Sequence, residues 1–138
     1  MPATAPPAVT RDSPLASPAG WIEPDRHSLR TAFERVYAVG DCTLTRTAKG
    51  QLPKAGVFAA AQGQVAARNA AADLVGGEGA GFDGHGFCFL EVPGRRVAVV
   101  EGDFFAEPEP DVVVTEPDEE QFRRKQLFES ERLARWLG

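Results

Sequence analysis

Asp41 follows Gly40 directly after the run Val36-Tyr37-Ala38-Val39, and Pro53-Lys54-Ala55-Gly56-Val57-Phe58 leads into an alanine-rich stretch. A carboxylate is an acceptor of hydrogen bonds. A chain entering a helix offers unpaired N–H groups and the positive end of the helix dipole. In open α/β sheets, ligands bind outside the carboxyl ends of the strands. If the first run is a strand and the alanine-rich stretch a helix, one carboxylate and one set of backbone donors share an edge. That pairing suits a polar, partly anionic cofactor. The plainer readings are a turn or cap carboxylate at Asp41 and a solvated helix-start cation at Lys54.

The other reactive side chains are few. Cys42 and Cys88 are too far apart for a CxxC metal site and too few for a disulfide framework. Cys42 is explained as a small apolar residue after the Gly-Asp pair, and Cys88 as a core residue within a strand. His85 lies in a glycine-rich turn, where it is either an acid–base group or a turn cap. The sequence reveals no partner for His27. Gly76-Gly77-Glu78-Gly79-Ala80-Gly81 follows a helical pattern rather than a strand, so it is a loop and not a phosphate-binding fingerprint.

The elements that position these residues follow from periodicity and punctuation. Residues 1–20, rich in Pro and small side chains, read as an extended arm or linker. Trp21-Ile22-Glu23 is a short strand candidate stopped by Pro24. Val36–Val39 is β-branched and aromatic, so a short strand buried on both faces. Thr43–Leu52 is a polar loop containing Lys49-Gly50. Pro53 suits a first helical turn, and Val57, Phe58, Ala61, Val65, Ala72 and Val75 form a helical stripe ended by Gly76-Gly77. Phe87–Val92 and Arg96–Val100, joined through Pro93-Gly94, predict an antiparallel hairpin. Val112–Val114 predicts a third strand. Asp118 with Gln121 predicts a capped start for a last helix ending near Leu137. On that helix Phe122, Leu127, Leu133, Trp136 and Leu137 share one broad face, with Phe128 opposite among Arg124, Lys125, Arg132 and Arg135. Two readings of Phe128 stand: a packing or subunit contact, and an aromatic wall for a planar ligand.

Composition bounds the classes. The chain has 138 residues, 43% hydrophobic and 25% charged, with a net charge of −5. That is room for one modest domain or two small lobes. The negative balance disfavours nucleic acid or an anionic membrane as the main partner. No apolar run approaches the roughly 20 residues of a membrane span, and the opening lacks the pattern of a signal peptide. The expected compartment is the cytoplasm, with peripheral contact of the last helix with a membrane permitted by its mixed charge face.

Taken together, Val-Tyr-Ala-Val-Gly-Asp, Pro-Lys-Ala-Gly-Val-Phe-Ala, Phe-Asp-Gly-His-Gly-Phe-Cys-Phe-Leu-Glu and Lys-Gln-Leu-Phe-Glu resemble the C-terminal part of the FAD-dependent pyridine nucleotide-disulfide oxidoreductases. The nearest branch holds sulfide:quinone oxidoreductase and the flavoprotein subunit of flavocytochrome c sulfide dehydrogenase. The resemblance runs from about Trp21 to the end. It implies an α+β chain: residues 21–77 as the last part of an FAD-binding Rossmann-like domain, and 78–138 as an interface domain with a small antiparallel sheet and terminal helix. It implies that Asp41 accepts from the ribityl hydroxyls of FAD and that Gly40 permits close approach. It places the backbone of Ala55, Gly56 and Val57 at the pyrimidine side of the flavin and counts Lys54 among the cofactor-binding residues. Lys125 and Phe128 match the acceptor position, where quinone-using relatives carry a Lys and a stacking Phe.

Two departures qualify the resemblance. Thr45–Leu52 lacks the redox cysteine of the sulfide-oxidising relatives, which favours a nicotinamide donor, as in type II NADH dehydrogenases. The amino-terminal G-x-G-x-x-G loop is absent. The expectation is therefore a C-terminal piece of a longer oxidoreductase that alone binds FAD weakly or not at all. The rival expectation is a non-catalytic binding or dimerisation module, because a half-domain exposes strand edges and an alanine-rich helix face. Either way a homodimer or larger assembly is expected.

Overall fold

A computed structural model describes residues 4–138. The fold is α+β: helices α1 (Ala8–Arg11), α2 (Gly56–Val75) and α3 (Glu119–Leu137), a small hairpin β1 (Arg46–Thr47) and β2 (Gly50–Gln51), and a sheet of β3 (His85–Val92), β4 (Arg96–Asp103) and β5 (Asp111–Val114). The sheet order is β3-β4-β5, all antiparallel. Among the described residues no helix is long and apolar enough to cross a membrane.

The alanine stretch becomes α2, where expected. Its buried residues are Phe58, Gln62 and Asn69, and with half-buried Val65 they repeat at helical spacing on one face. Gly76, at φ 78°, ends the helix, and its N–H returns to the Ala72 carbonyl at 2.9 Å. The hairpin forms around Pro93-Gly94-Arg95, with Val92 opposite Arg96. Gly94 and Arg95 take the positive φ values that the tight turn requires.

The sheet has two covered faces. On one, Phe87 and Phe89 meet Phe128 of α3 edge-on at 5.5 and 5.7 Å. On the other, Gly86 lies beneath Phe58 so closely that a Cβ there would stand 2.2 Å from the ring. Leu29, Leu52, Phe58, Phe82, Phe104 and Phe105 form the core, with Cys88, Val100 and Val112 packed against it. Phe58 meets Phe104, and Phe82 meets Phe105, both edge-on. This core draws residues from both sides of position 78.

Two expectations are corrected. Val36–Val39 is not a strand buried on both faces: its one ladder contact is an isolated antiparallel bridge between Arg30 and Tyr37, and Val36 is exposed. A short β-branched run forms a strand only where neighbours supply a ladder, and here the flanking chain turns at Leu29 and Arg35 with positive φ. The amino-terminal arm is not extended from residue 8 on. It forms α1, buries Thr10, and bridges Ala16 to Ile22; residues 1–3 lie outside the described part. The structure also fixes the rotation of α3. Phe128 faces the sheet, while Leu127, Leu133, Trp136 and Leu137 are exposed. The inward cations bring their own partners: Arg124 pairs with Glu101 of β4 at 2.9 Å, and Lys125 pairs with Glu91 of β3. Their aliphatic stems pack while the charges reach acids at the sheet rim.

Candidate functional site

The residues around Asp41 form a single 3₁₀ turn, Gly40–Cys42. Gly40 has φ 73°, and an added Cβ would come within 3.4 Å of Ala59 on α2. So the turn both needs a left-handed residue and runs close along the helix. The Gly40 N–H and the carbonyls of Gly40 and Asp41 all have partners. The Gly40 N–H donates to Gln62 Oε1 at 2.8 Å. The Gly40 carbonyl accepts from the Thr43 N–H at 3.0 Å and from Thr43 Oγ1 at 2.8 Å. Lys54 Nζ donates to the Asp41 carbonyl at 2.9 Å and to the Thr43 carbonyl at 2.7 Å.

Lys54 also stands 3.7 Å above the Trp21 ring. Burial pushes its ammonium below the usual lysine range, with Asp41 and Cys42 opposing the shift. It is thus a bracing side chain tied to two carbonyls rather than a free surface cation. The Asp41 side chain is exposed. Among the described residues no hydrogen bond is made to its carboxylate.

Asp41 and Ala55 line one cleft together with Gly40, Thr43, Lys54 and Gln62. Ala55 is the N-cap of α2, with extended φ and ψ; no side chain caps the first turn and no acidic residue stands in it. Gly56 and Val57, the next two residues, open the other way. They line a groove of about 430 Å³ with Phe89, Lys125, Phe128, Arg132 and Trp136. Arg132 stacks on both Phe128 and Trp136, at 4.8 and 5.6 Å. The first turn of α2 is therefore a ridge with the carboxylate cleft on one flank and an aromatic, cationic groove on the other.

The site residues named from sequence fall on these two flanks: Gly40, Asp41, Lys54 and Ala55 on the first, Gly56, Val57, Lys125 and Phe128 on the second. Gln62, Thr43, Thr45 and Trp21 were missed. Gln62 carried a readable signal, an amide on the apolar face of an alanine-rich helix. The Trp21 contact had none, because it depends on how residues 21 and 54 meet in space.

The remaining reactive groups have structural surroundings. Cys42 Sγ donates to the Val39 carbonyl at 3.3 Å. Cys88 is half-buried against the core, and burial pushes its thiol up. His27 Nδ1 lies 3.0 Å from the Phe82 carbonyl while Nε2 lies 3.1 Å from Arg26 Nε; these partners assign the neutral form with the proton on Nδ1. His85 is exposed, its N–H capped by Asp83. No family model matches the chain.

Proposed function

We propose that this chain is the C-terminal portion of an FAD-dependent oxidoreductase, cradling the ribityl and isoalloxazine parts of the flavin between the Asp41 turn and the start of α2. The observation that carries the reading is the ridge itself: an uncapped, acid-free helix start between a free carboxylate and an aromatic groove. The cleft itself is about 10 Å³, the space of a single water, so the residues suit the group by their chemistry at its rim. Among the described residues the Asp41 carboxylate accepts no hydrogen bond, and polyol hydroxyls are donors that suit it. Gly56, at the start of α2, has nothing within 4 Å of where a Cβ would stand, which leaves room for close approach.

Bound flavin supplies two-electron transfer between a donor and an acceptor. The chain's own residues supply placement and electrostatics. Asp41 orients the ribityl chain. The N–H groups of Gly56 and Val57, with the positive end of the helix dipole, favour negative charge at the pyrimidine edge of the reduced ring. Lys125 and Phe128 border the opposite flank, where a planar acceptor such as a quinone fits against Phe128. Neither cysteine is placed for sulfur chemistry: Cys42 faces a backbone carbonyl and Cys88 packs against the core. This supports NAD(P)H over a reduced sulfur compound as donor.

The test is the flavin content of the polypeptide encoded by the complete reading frame, purified with FAD. One FAD retained per chain is expected, with NADH reducing it faster than sulfide does. A polypeptide that retains no flavin overturns the reading.

A second reading has its own observation. Leu127, Leu133, Trp136 and Leu137 on α3 and Val113 and Val114 on β5 are all exposed, and surfaces of this kind mark association. On that reading the chain is a non-catalytic dimerisation module. It is distinguished by a dimer in light scattering with no flavin in the complete polypeptide.

A further inference from the structure

Gln62 is 2% exposed, on the core face of α2. Its Oε1 takes the Gly40 N–H at 2.8 Å, and its Nε2 lies 3.5 Å from Thr45 Oγ1, itself buried. One amide thus ties both ends of the segment that carries Asp41. Lys54 braces the middle through the Asp41 and Thr43 carbonyls. The turn is thus held at Gly40, Asp41 and Thr43 through its backbone, while among the described residues the Asp41 carboxylate accepts no hydrogen bond. Burying an amide carries a desolvation cost that its hydrogen bonds must offset. A leucine would fill the same space without that cost, so what the amide adds is a fixed direction for the turn. A turn ordered by folding need not be ordered again by a ligand, which raises affinity.

We propose that Gln62 is a positioning residue: acting through Gly40, it aims the Asp41 carboxylate and so sets the affinity for the vicinal hydroxyls of a bound polyol chain. This rests on the flavin reading of the cleft. Lys54 serves the same turn from its other side.

The experiment is a double-mutant cycle in the complete encoded polypeptide, with FAD affinity read by flavin fluorescence for wild type, Asp41→Ala, Gln62→Leu and the double variant. Gln62→Leu is expected to weaken FAD about tenfold, the scale of one lost buried hydrogen bond. On the Asp41→Ala background it is expected to cost nothing further. Unchanged affinity in Gln62→Leu, or an equal loss on both backgrounds, overturns the proposal, since a merely structural glutamine acts independently of Asp41. An Asp41→Ala variant with wild-type affinity overturns the flavin reading itself and is thereby a distinct failure. If Gln62→Leu does not fold, Lys54→Met is read in the same cycle, with Lys54→Arg restoring affinity. Equal losses for Lys54→Met on both backgrounds overturn the proposal in the same way.

Discussion

Gly86 has no room for a methyl group, because a Cβ would stand 2.2 Å from a Phe58 ring that is itself 2% exposed. Gly86→Ala is therefore expected to cost about 2 kcal/mol or more through overpacking, measured as a drop in urea midpoint. Asn69 is the second buried amide of α2. It accepts from the Ala80 N–H at 2.6 Å and donates to the Ser28 and Ala80 carbonyls at 2.9 and 3.0 Å. Asn69→Ala leaves those groups unpaired and is expected to cost about 2–3 kcal/mol by the same measurement. Asp73 gives a pH prediction. Two bonds from Arg30, then one from the Tyr37 hydroxyl, hold its carboxyl at about 2, below the ordinary 3.8. A depressed folded pKa means that the ionised form stabilises the fold. That stabilisation is complete above pH 4 and is lost as the pH falls toward 2. The urea midpoint of the wild type is expected to fall more steeply over that interval than that of Asp73→Asn. None of these three roles was legible beforehand, since each depends on partners distant in sequence. An amide on an apolar helical face is the one signal by which Asn69 could have been found.

At the scale of elements, punctuation succeeded where periodicity alone did not. Gly76 and Pro93-Gly94 end α2 and turn the hairpin as expected, because their backbone preferences are local. Asp118 caps α3 through the Gln121 N–H at 2.7 Å. Asp118→Ala is expected to cost about 1 kcal/mol and to loosen the first turn in amide exchange. Val36–Val39 failed because strand formation needs a neighbour, which no single run of residues encodes. The inward face of α3 was not legible, because it is set by partners on the sheet. The helix packs through Phe128 on Phe87 and Phe89 and through cation stems whose charges meet Glu91 and Glu101. The placement of Phe128 among cations was the informative anomaly, and of its two readings the packing contact is the one seen. The ring packs on the sheet, and it also walls the groove beside Val57.

For the molecule as a whole, the sequence's division near residue 78 is crossed by one core, in which Leu29, Leu52 and Phe58 pack with Phe82, Phe104 and Phe105. The two parts are therefore expected to unfold together, in a single urea transition seen alike by Trp fluorescence and circular dichroism. Exposed apolar residues gather on α3 and β5, with others at the end of α2 (Leu74 and Val75), and light scattering is expected to give a dimer or larger species. The most direct test of the cradle is a titration of the ¹⁵N-labelled chain with FAD, followed by amide chemical shifts. Weak binding is expected, with the largest shifts at Gly40, Asp41 and Ala55 through Phe58. Saturable shifts centred elsewhere, such as the Arg68–Ala80 end of α2, would contradict it.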